Sequence, residues 1–244
     1  MKIRLDELLV KNGLFESRTR AQASIIAGLI LADNQKIEKP GIKIEETAVI
    51  RVLGDACPYA SRGGLKLKGA LDDFKVDVNG LIAADIGAGT GGFTDCLLKR
   101  GAKKVYAIDV GYGQIDWKLR KDERVVVIER KNARNLAQKD IGEKVDLAVM
   151  DVSFISILKI LPAVTDILKE NGIVVTLVKP QFEAGKEDVP RGGVVRNASV
   201  HKKVIDNVRT GAEALGYEYL GDTRSPITGK DGNIEYFMHL RRAQ

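Results

Sequence analysis

A chain of 244 residues with 44% hydrophobic and 30% charged residues has room for one medium domain and a small companion, and this composition excludes a disordered chain. Its formal net charge of +6 favours an anionic partner without naming one. Two cysteines and two histidines exclude a disulfide framework and a histidine-rich metal centre, so no metal is expected.

The opening stretch, "MKIRLDELLVKNG", is amphipathic and charged, unlike a signal peptide. No apolar run approaches the roughly 18 residues that cross a bilayer. A reduced, cytoplasmic protein without membrane contact is expected. Leu5, Leu8 and Leu9 share one helical face, and Asn12-Gly13 reads as the stop. Ser17 caps a second helix whose apolar side carries Ala21, Ile25 and Ile26. "LILADNQKI" predicts two short strands around a turn at Asp33-Asn34, and "TAVIRVL" a third. Residues 1–54 thus read as a small appended module. Its basic residues Arg4, Lys11, Arg18 and Arg20 form either one RNA-binding face or ordinary solvated helix charge. "GDACPYASRGG" reads as a linker over residues 55–62. A helix follows with Leu67, Leu71 and Phe74 on one face and Lys66 off that stripe, where most lysines simply meet solvent.

From residue 80 the pattern alternates. "LIAADIG", "KKVYAIDVG", "RVVVIE", "VDLAVMD" and "GIVVTLVKP" are strand-like, with helix-like runs between them. This predicts an α/β fold with a parallel sheet covered on both faces. The tail departs from it: a helix, then "YEYLGDTRSP" and "GNIEYFMHLRR" as two adjacent strands. A mostly parallel sheet ending in an antiparallel pair is the layout of class I methyltransferases, here expected over residues 63–244.

The ligand is argued from "DIGAGTGGF". Gly87, Gly89 and Gly92 satisfy the dinucleotide fingerprint, and Asp109 lies about twenty residues on, where it can bind ribose hydroxyls. Asp85 decides against NAD. A carboxylate just before the glycines repels a pyrophosphate at the helix N-terminus, whereas the ammonium and sulfonium of S-adenosylmethionine tolerate it. Asp85, Gly87, Gly89 and Gly91 follow the methyltransferase form, and Gly92 and Phe93 continue the turn. Asn132, after the third strand of the alternating region, is placed to read the adenine. Asp151 and Lys179 end the next two strands, and Glu235 sits in an apolar strand context that demands a partner or a function. The loop from Pro180 to Asn197 reads as a lid offering Lys186, Arg191 and Arg196 to phosphates, or as a disordered excursion.

Three resemblances sharpen this. Arg4-Leu5-Asp6, Ser17-Arg18, Gly28-Leu29-Ile30 and Asn34 resemble the small RNA-binding module named after a ribosomal protein of the small subunit. Lys66, Asp151, Lys179 and Glu235 resemble the catalytic tetrad of FtsJ-type ribose 2′-O-methyltransferases. "SRGGLKL", "DIGAGTGGFT", "MDVSFIS", "LVKPQFEAGK" and "GNIEYF" resemble the TlyA family more closely still. That resemblance implies an S-adenosylmethionine-dependent enzyme acting on cytidines of ribosomal RNA or ribosomal subunits. Some relatives carry Arg-x-Trp-Val in the linker, where "ACPY" stands here. The tetrad implies a base to deprotonate the 2′-hydroxyl, with Lys179 favoured and Lys66 as orienter, although sequence does not separate the two roles. Asp151, at the strand end, also borders the cofactor. A non-catalytic RNA-binding or ribosome-assembly protein and a membrane-active haemolysin are the rival readings.

Overall fold

The computed structural model describes residues 2–53, 57–229 and 232–243. It divides into two compact units, residues 1–65 and 66–244.

In the first unit, β1 (Lys2–Arg4) leads directly into α1 (Leu5–Lys11), followed by α2 (Arg18–Ile26). Ser17 caps α2 by accepting from the Arg20 N–H at 3.3 Å. Leu5, Leu9, Phe15, Ala21, Ile25 and Ile30 form the small core. Ile26, expected inward, is exposed, because Ala21 and Ile25 at i, i+4 already define the buried stripe. Strands β2 (Ile30–Ala32) and β3 (Gln35–Ile37) form the expected hairpin, with Asp33 and Asn34 at positive φ in its turn. Strand β5 (Ile50–Val52) pairs with the other edge of β2. The pairing of β1 with β4 (Lys43–Glu45) was not anticipated, since each strand has three residues and little alternation.

Asp6 organises the two helices. It is fully buried and accepts from Arg4 Nε at 2.9 Å, Gln22 Nε2 at 2.6 Å and Arg18 Nη2 at 3.2 Å. The Arg4 guanidinium, aided by Gln22 and Arg18, holds the Asp6 carboxyl well below the usual carboxylate range. Asp6→Ala should destabilise this unit by about 2 kcal/mol, because Gln22 loses its partner while the half-exposed arginines return to water. The contribution is present above the ordinary carboxylate pKa and fades as pH falls below it. Calorimetry of the full chain checks this; an unshifted first transition refutes it.

The stretch 57–62 is not a loose linker. Cys57, Tyr59 and Ala60 are buried, and the Cys57 N–H donates to Ser24 Oγ at 3.0 Å. Residues 55 and 56, also expected as linker, lie outside the described residues, as does the last residue expected in the module, Gly54.

The second unit begins within α3 (Gly63–Phe74). Its elements are β6 (Ile82–Ile86), α4 (Gly92–Lys99), β7 (Lys104–Ile108), α5 (Trp117–Arg120), β8 (Val125–Ile128), α6 (Gln138–Ile141), β9 (Val145–Met150), α7 (Leu161–Ile167), β10 (Leu168–Val178), α8 (Pro180–Glu183), α9 (Ala198–Ala214), β11 (Tyr217–Arg224) and β12 (Tyr236–Arg242). The seven-stranded sheet has the order β11-β12-β10-β9-β6-β7-β8. β6 through β10 run parallel, and β12 lies antiparallel between β10 and β11. Its strands are near-continuous apolar runs, as burial on both faces requires. The direction of chain reverses at β6, the switch point where α/β folds hold ligands.

Candidate active site

The glycine turn joins β6 to α4. Gly87, Gly89 and Gly91 all have positive φ, of 84°, 52° and 92°. At Gly87 the need is double, because a Cβ would stand 2.5 Å from the Asp151 carbonyl oxygen. Asp109 lies just past β7 and accepts from the N–H of Gly89 at 2.8 Å and of Gly111 at 2.7 Å. It therefore braces the turn that it was expected to serve. Asp109, Gly111, Gln114, Ile115 and Glu129 line one cleft with Gly89. Glu129 was not singled out from sequence, although an acid directly after "VVVI" was the available signal.

Asp85 is fully buried in β6. Its Oδ2 accepts from the Thr94 N–H at 2.8 Å and hydroxyl at 2.6 Å, while Oδ1 is buried with no partner. Burial pushes its carboxyl up to about 7 against the opposing pull of Thr94. Since the folded-state value lies above the unfolded one, stability from this group falls as pH rises from about 4 to about 7. A ligand cation reverses that preference by favouring the carboxylate. The orphaned oxygen, the glycine cradle and the acidic cleft fit an adenosyl group carrying an ammonium and lacking phosphate. Cofactor affinity should rise with pH up to about 7 and fall again as an α-amino group deprotonates near 8. Asp85→Asn should flatten the acid limb in calorimetric titrations; a limb unchanged by that substitution would separate Asp85 from the cofactor.

Two predicted cofactor residues are placed differently. The Phe93 side chain is buried, with its ring 6.0 Å from that of Phe237, so only its main chain faces the turn's chemistry. Asn132 is exposed and caps a 3-10 turn by accepting from the Arg134 N–H at 3.0 Å. Its carbonyl oxygen is thus committed locally.

The four tetrad residues are brought to the carboxyl end of β10. Val178 faces Tyr236 and Thr176 faces Met150, so Asp151, Lys179 and Glu235 extend three adjacent strand ends. Glu235 stands one residue before β12, not within it as expected, because pairing begins at Tyr236. Lys66, expected on a solvent-facing side of its helix, is 5% exposed and reaches Glu235 Oε2 at 2.5 Å. Lys179 is 8% exposed, lies 2.6 Å from Asp151 Oδ1 and donates to Ser153 Oγ at 2.9 Å. The result is one buried lysine–carboxylate pair, Lys66–Glu235, beside a second, Lys179–Asp151, whose carboxylate is partly exposed. Burial of the first is tolerable because each group meets an opposite partner.

Phe154, missed from sequence, adopts φ 64° and is 89% exposed. Its ring packs 4.9 Å from Phe182, above which Lys179 Nζ sits at 5.8 Å. A bulky residue at positive φ stores strain of about 1–3 kcal/mol.

The expected basic face of the first unit is largely engaged. Arg4 and Arg18 clamp Asp6, Lys11 pairs with Glu46, and Arg20 lies 3.7 Å from Glu16. Among the described residues no helix is long and apolar enough to cross a membrane, and no group of three or more His, Cys, Asp or Glu could hold a metal ion.

Residues 59–242 match the family of FtsJ-like methyltransferases. YqxC of Bacillus subtilis, a candidate rRNA methyltransferase, is 48% identical over 240 residues, covering 98% of this chain and 85% of the relative. The 16S/23S rRNA (cytidine-2'-O)-methyltransferase TlyA of Mycobacterium tuberculosis is 45% identical over 241 residues, covering 98% and 90%. A solved structure of a candidate hemolysin from Streptococcus thermophilus superposes with a TM-score of 0.80 at 46% identity, covering 100% of this chain and 89% of that one. With a nucleoside cradle of this shape and three-quarters of its length matched, the chain belongs to the FtsJ-like, S-adenosylmethionine-dependent methyltransferases.

Proposed function

We propose that this protein methylates the ribose 2′-hydroxyl of cytidine in ribosomal RNA. The observation that carries the reading is the pair of lysine–carboxylate contacts, Lys66–Glu235 and Lys179–Asp151, at the carboxyl end of β10. Asp85, the glycines 87, 89 and 91, and Asp109 would hold S-adenosylmethionine, which supplies an electrophilic methyl group when bound.

The residues then divide the work. A neutral lysine has two N–H groups and one lone pair. Asp151 Oδ1 and Ser153 Oγ take the two N–H groups of Lys179, leaving its lone pair for the 2′-hydroxyl proton. Lys66, 2.5 Å from Glu235, orients the 2′-oxygen and stabilises the negative charge that develops on it. Phe154 offers an exposed ring beside this centre on which a nucleobase drawn out of its stack can lie. The first unit supplies RNA affinity through shape and backbone contacts, with Arg4, Lys11, Arg18 and Arg20 at its surface.

The test is to incubate the protein with ribosomal subunits and tritiated S-adenosylmethionine, then map the label. Label on a cytidine 2′-oxygen supports the reading. Label on a base or on a ribosomal protein overturns it, and lysis of lipid vesicles without any transfer favours the haemolysin reading.

A further inference from the structure

The segment 180–197, expected as a lid or a disordered excursion, is anchored at its far end. Asn233 is 4% exposed, and its side chain bridges two backbone groups of that segment. Oδ1 accepts from the Val195 N–H at 3.1 Å, and Nδ2 donates to the Gly193 carbonyl at 3.1 Å. His201, also 4% exposed, lies on α9 with Nε2 2.9 Å from the Val195 carbonyl. A carbonyl only accepts, so Nε2 carries the hydrogen, and Nδ1 receives the Tyr236 hydroxyl at 3.0 Å. Asn233 and Tyr236 stand on either side of Glu235. One short strip thus grips the segment and also presents Glu235 to Lys66. Nearer its start the segment is held by Glu183, which accepts from the Ile157 N–H at 2.8 Å, and by Asp188, which pairs with Lys203 at 3.0 Å, while Lys186 and Arg191 are exposed.

We propose that Asn233 is a positioning residue for methyl transfer. It ties the segment that meets the RNA to the Lys66–Glu235 pair, so that docking on the segment sets Lys66 against the 2′-oxygen. This rests on the proposed role of that pair. A side chain that satisfies both a donor and an acceptor of a loop, from a buried position, is a fixed strut rather than a surface contact. Losing it frees Gly193 and Val195 and lets the strip drift. A misplacement of about 1 Å is enough to slow a reaction by about 100-fold.

Gly229 supplies the control. The three atoms nearest a Cβ there all belong to the Glu235 side chain, so Gly229→Ala presses on Glu235 and not on the Asn233 side chain that holds Gly193 and Val195. Three variants, Asn233→Ala, Asn233→Asp and Gly229→Ala, are compared by kcat and KM on ribosomal subunits, by cofactor affinity, and by trypsin cleavage after Arg191. Asn233→Ala should lose about 10–100-fold in kcat with cofactor affinity unchanged, and should be cut faster after Arg191. Asn233→Asp keeps the acceptor for Val195 but turns an anion to the Gly193 carbonyl, so it should fall between wild type and Asn233→Ala in both readouts. Gly229→Ala should lose kcat without faster cleavage. If Gly229→Ala loses kcat while Asn233→Ala keeps it, the coupling is wrong. Lost kcat in Asn233→Ala with unchanged cleavage also overturns it. If Gly229→Ala keeps full kcat, the role of the Lys66–Glu235 pair fails first, and the proposal falls with it.

Discussion

Lys179→Ala is expected to bind cofactor and ribosomal RNA as the unaltered protein does, yet to transfer methyl groups about 10²–10⁴-fold more slowly, the usual worth of a positioned base. Its fold should survive. Lys179 is held by Asp151 and Ser153, and Asp151 is exposed enough to regain water when the amine is removed. Lys179→Arg should fail equally, because a guanidinium keeps its proton at any usable pH and offers no lone pair. Single-turnover rates beside calorimetric affinities make the check. Wild-type turnover in either variant would remove Lys179 from proton transfer. Lys66→Ala provides the contrast: its residual activity should still titrate, whereas that of Lys179→Ala should rise only with hydroxide. The opposite pattern would exchange the two roles.

Gly87→Ala is expected to abolish cofactor binding and cost about 2–4 kcal/mol of stability, more than a positive φ alone demands. The excess comes from the methyl group meeting the Asp151 carbonyl oxygen, a backbone atom that has no rotamer by which to withdraw. Asp151 is itself tied to β6 through its N–H, which donates to the Ile86 carbonyl at 3.0 Å. One added methyl therefore disturbs the cofactor turn and the partner of Lys179 together. Gly142 gives the baseline, with φ 79° and nothing within 4 Å of an added Cβ. Gly142→Ala should cost only about 1–2 kcal/mol. Equal losses of melting temperature in the two variants would show that the contact with Asp151 carries no weight.

Much of this arrangement is written locally in the chain. The runs around residues 82–86, 104–108, 125–128, 145–150 and 173–178 are largely apolar on both faces, as strands of a covered parallel sheet are, and all but the edge strand β8 are mostly buried. Asp85 and the glycines are legible because a tight turn and a buried acid leave a compact signature. Lys66 is legible only through its resemblance to a known tetrad. On helical spacing alone it reads as a surface lysine, because its partner Glu235 lies 169 residues away. Asn233 escapes for a related reason. Its side chain contacts backbone groups of Gly193 and Val195, about 40 residues away, and backbone groups leave no mark in a sequence. Phe154 escapes because a hydrophobic side chain turned toward water contradicts the pattern rule by which cores are found. The charges of the first unit mislead in the other direction: Arg4 and Arg18 read as free cations, while the acid that holds them, Asp6, looks like helix N-terminal decoration.

The place of β12 has a consequence for how the enzyme comes into being. This strand is the last in the sheet by sequence, yet it lies between β10 and β11 and not at an edge. Without β12, neither β10 nor β11 has the neighbour between them to pair with, and each leaves a row of amides unpaired. Closure of the gap between them is a long-range step, the slow kind in which chain entropy is surrendered before the contacts repay it. Glu235 arrives with the strand that fills the gap. On the proposed role of the Lys66–Glu235 pair, methyl transfer requires this strand to be in place.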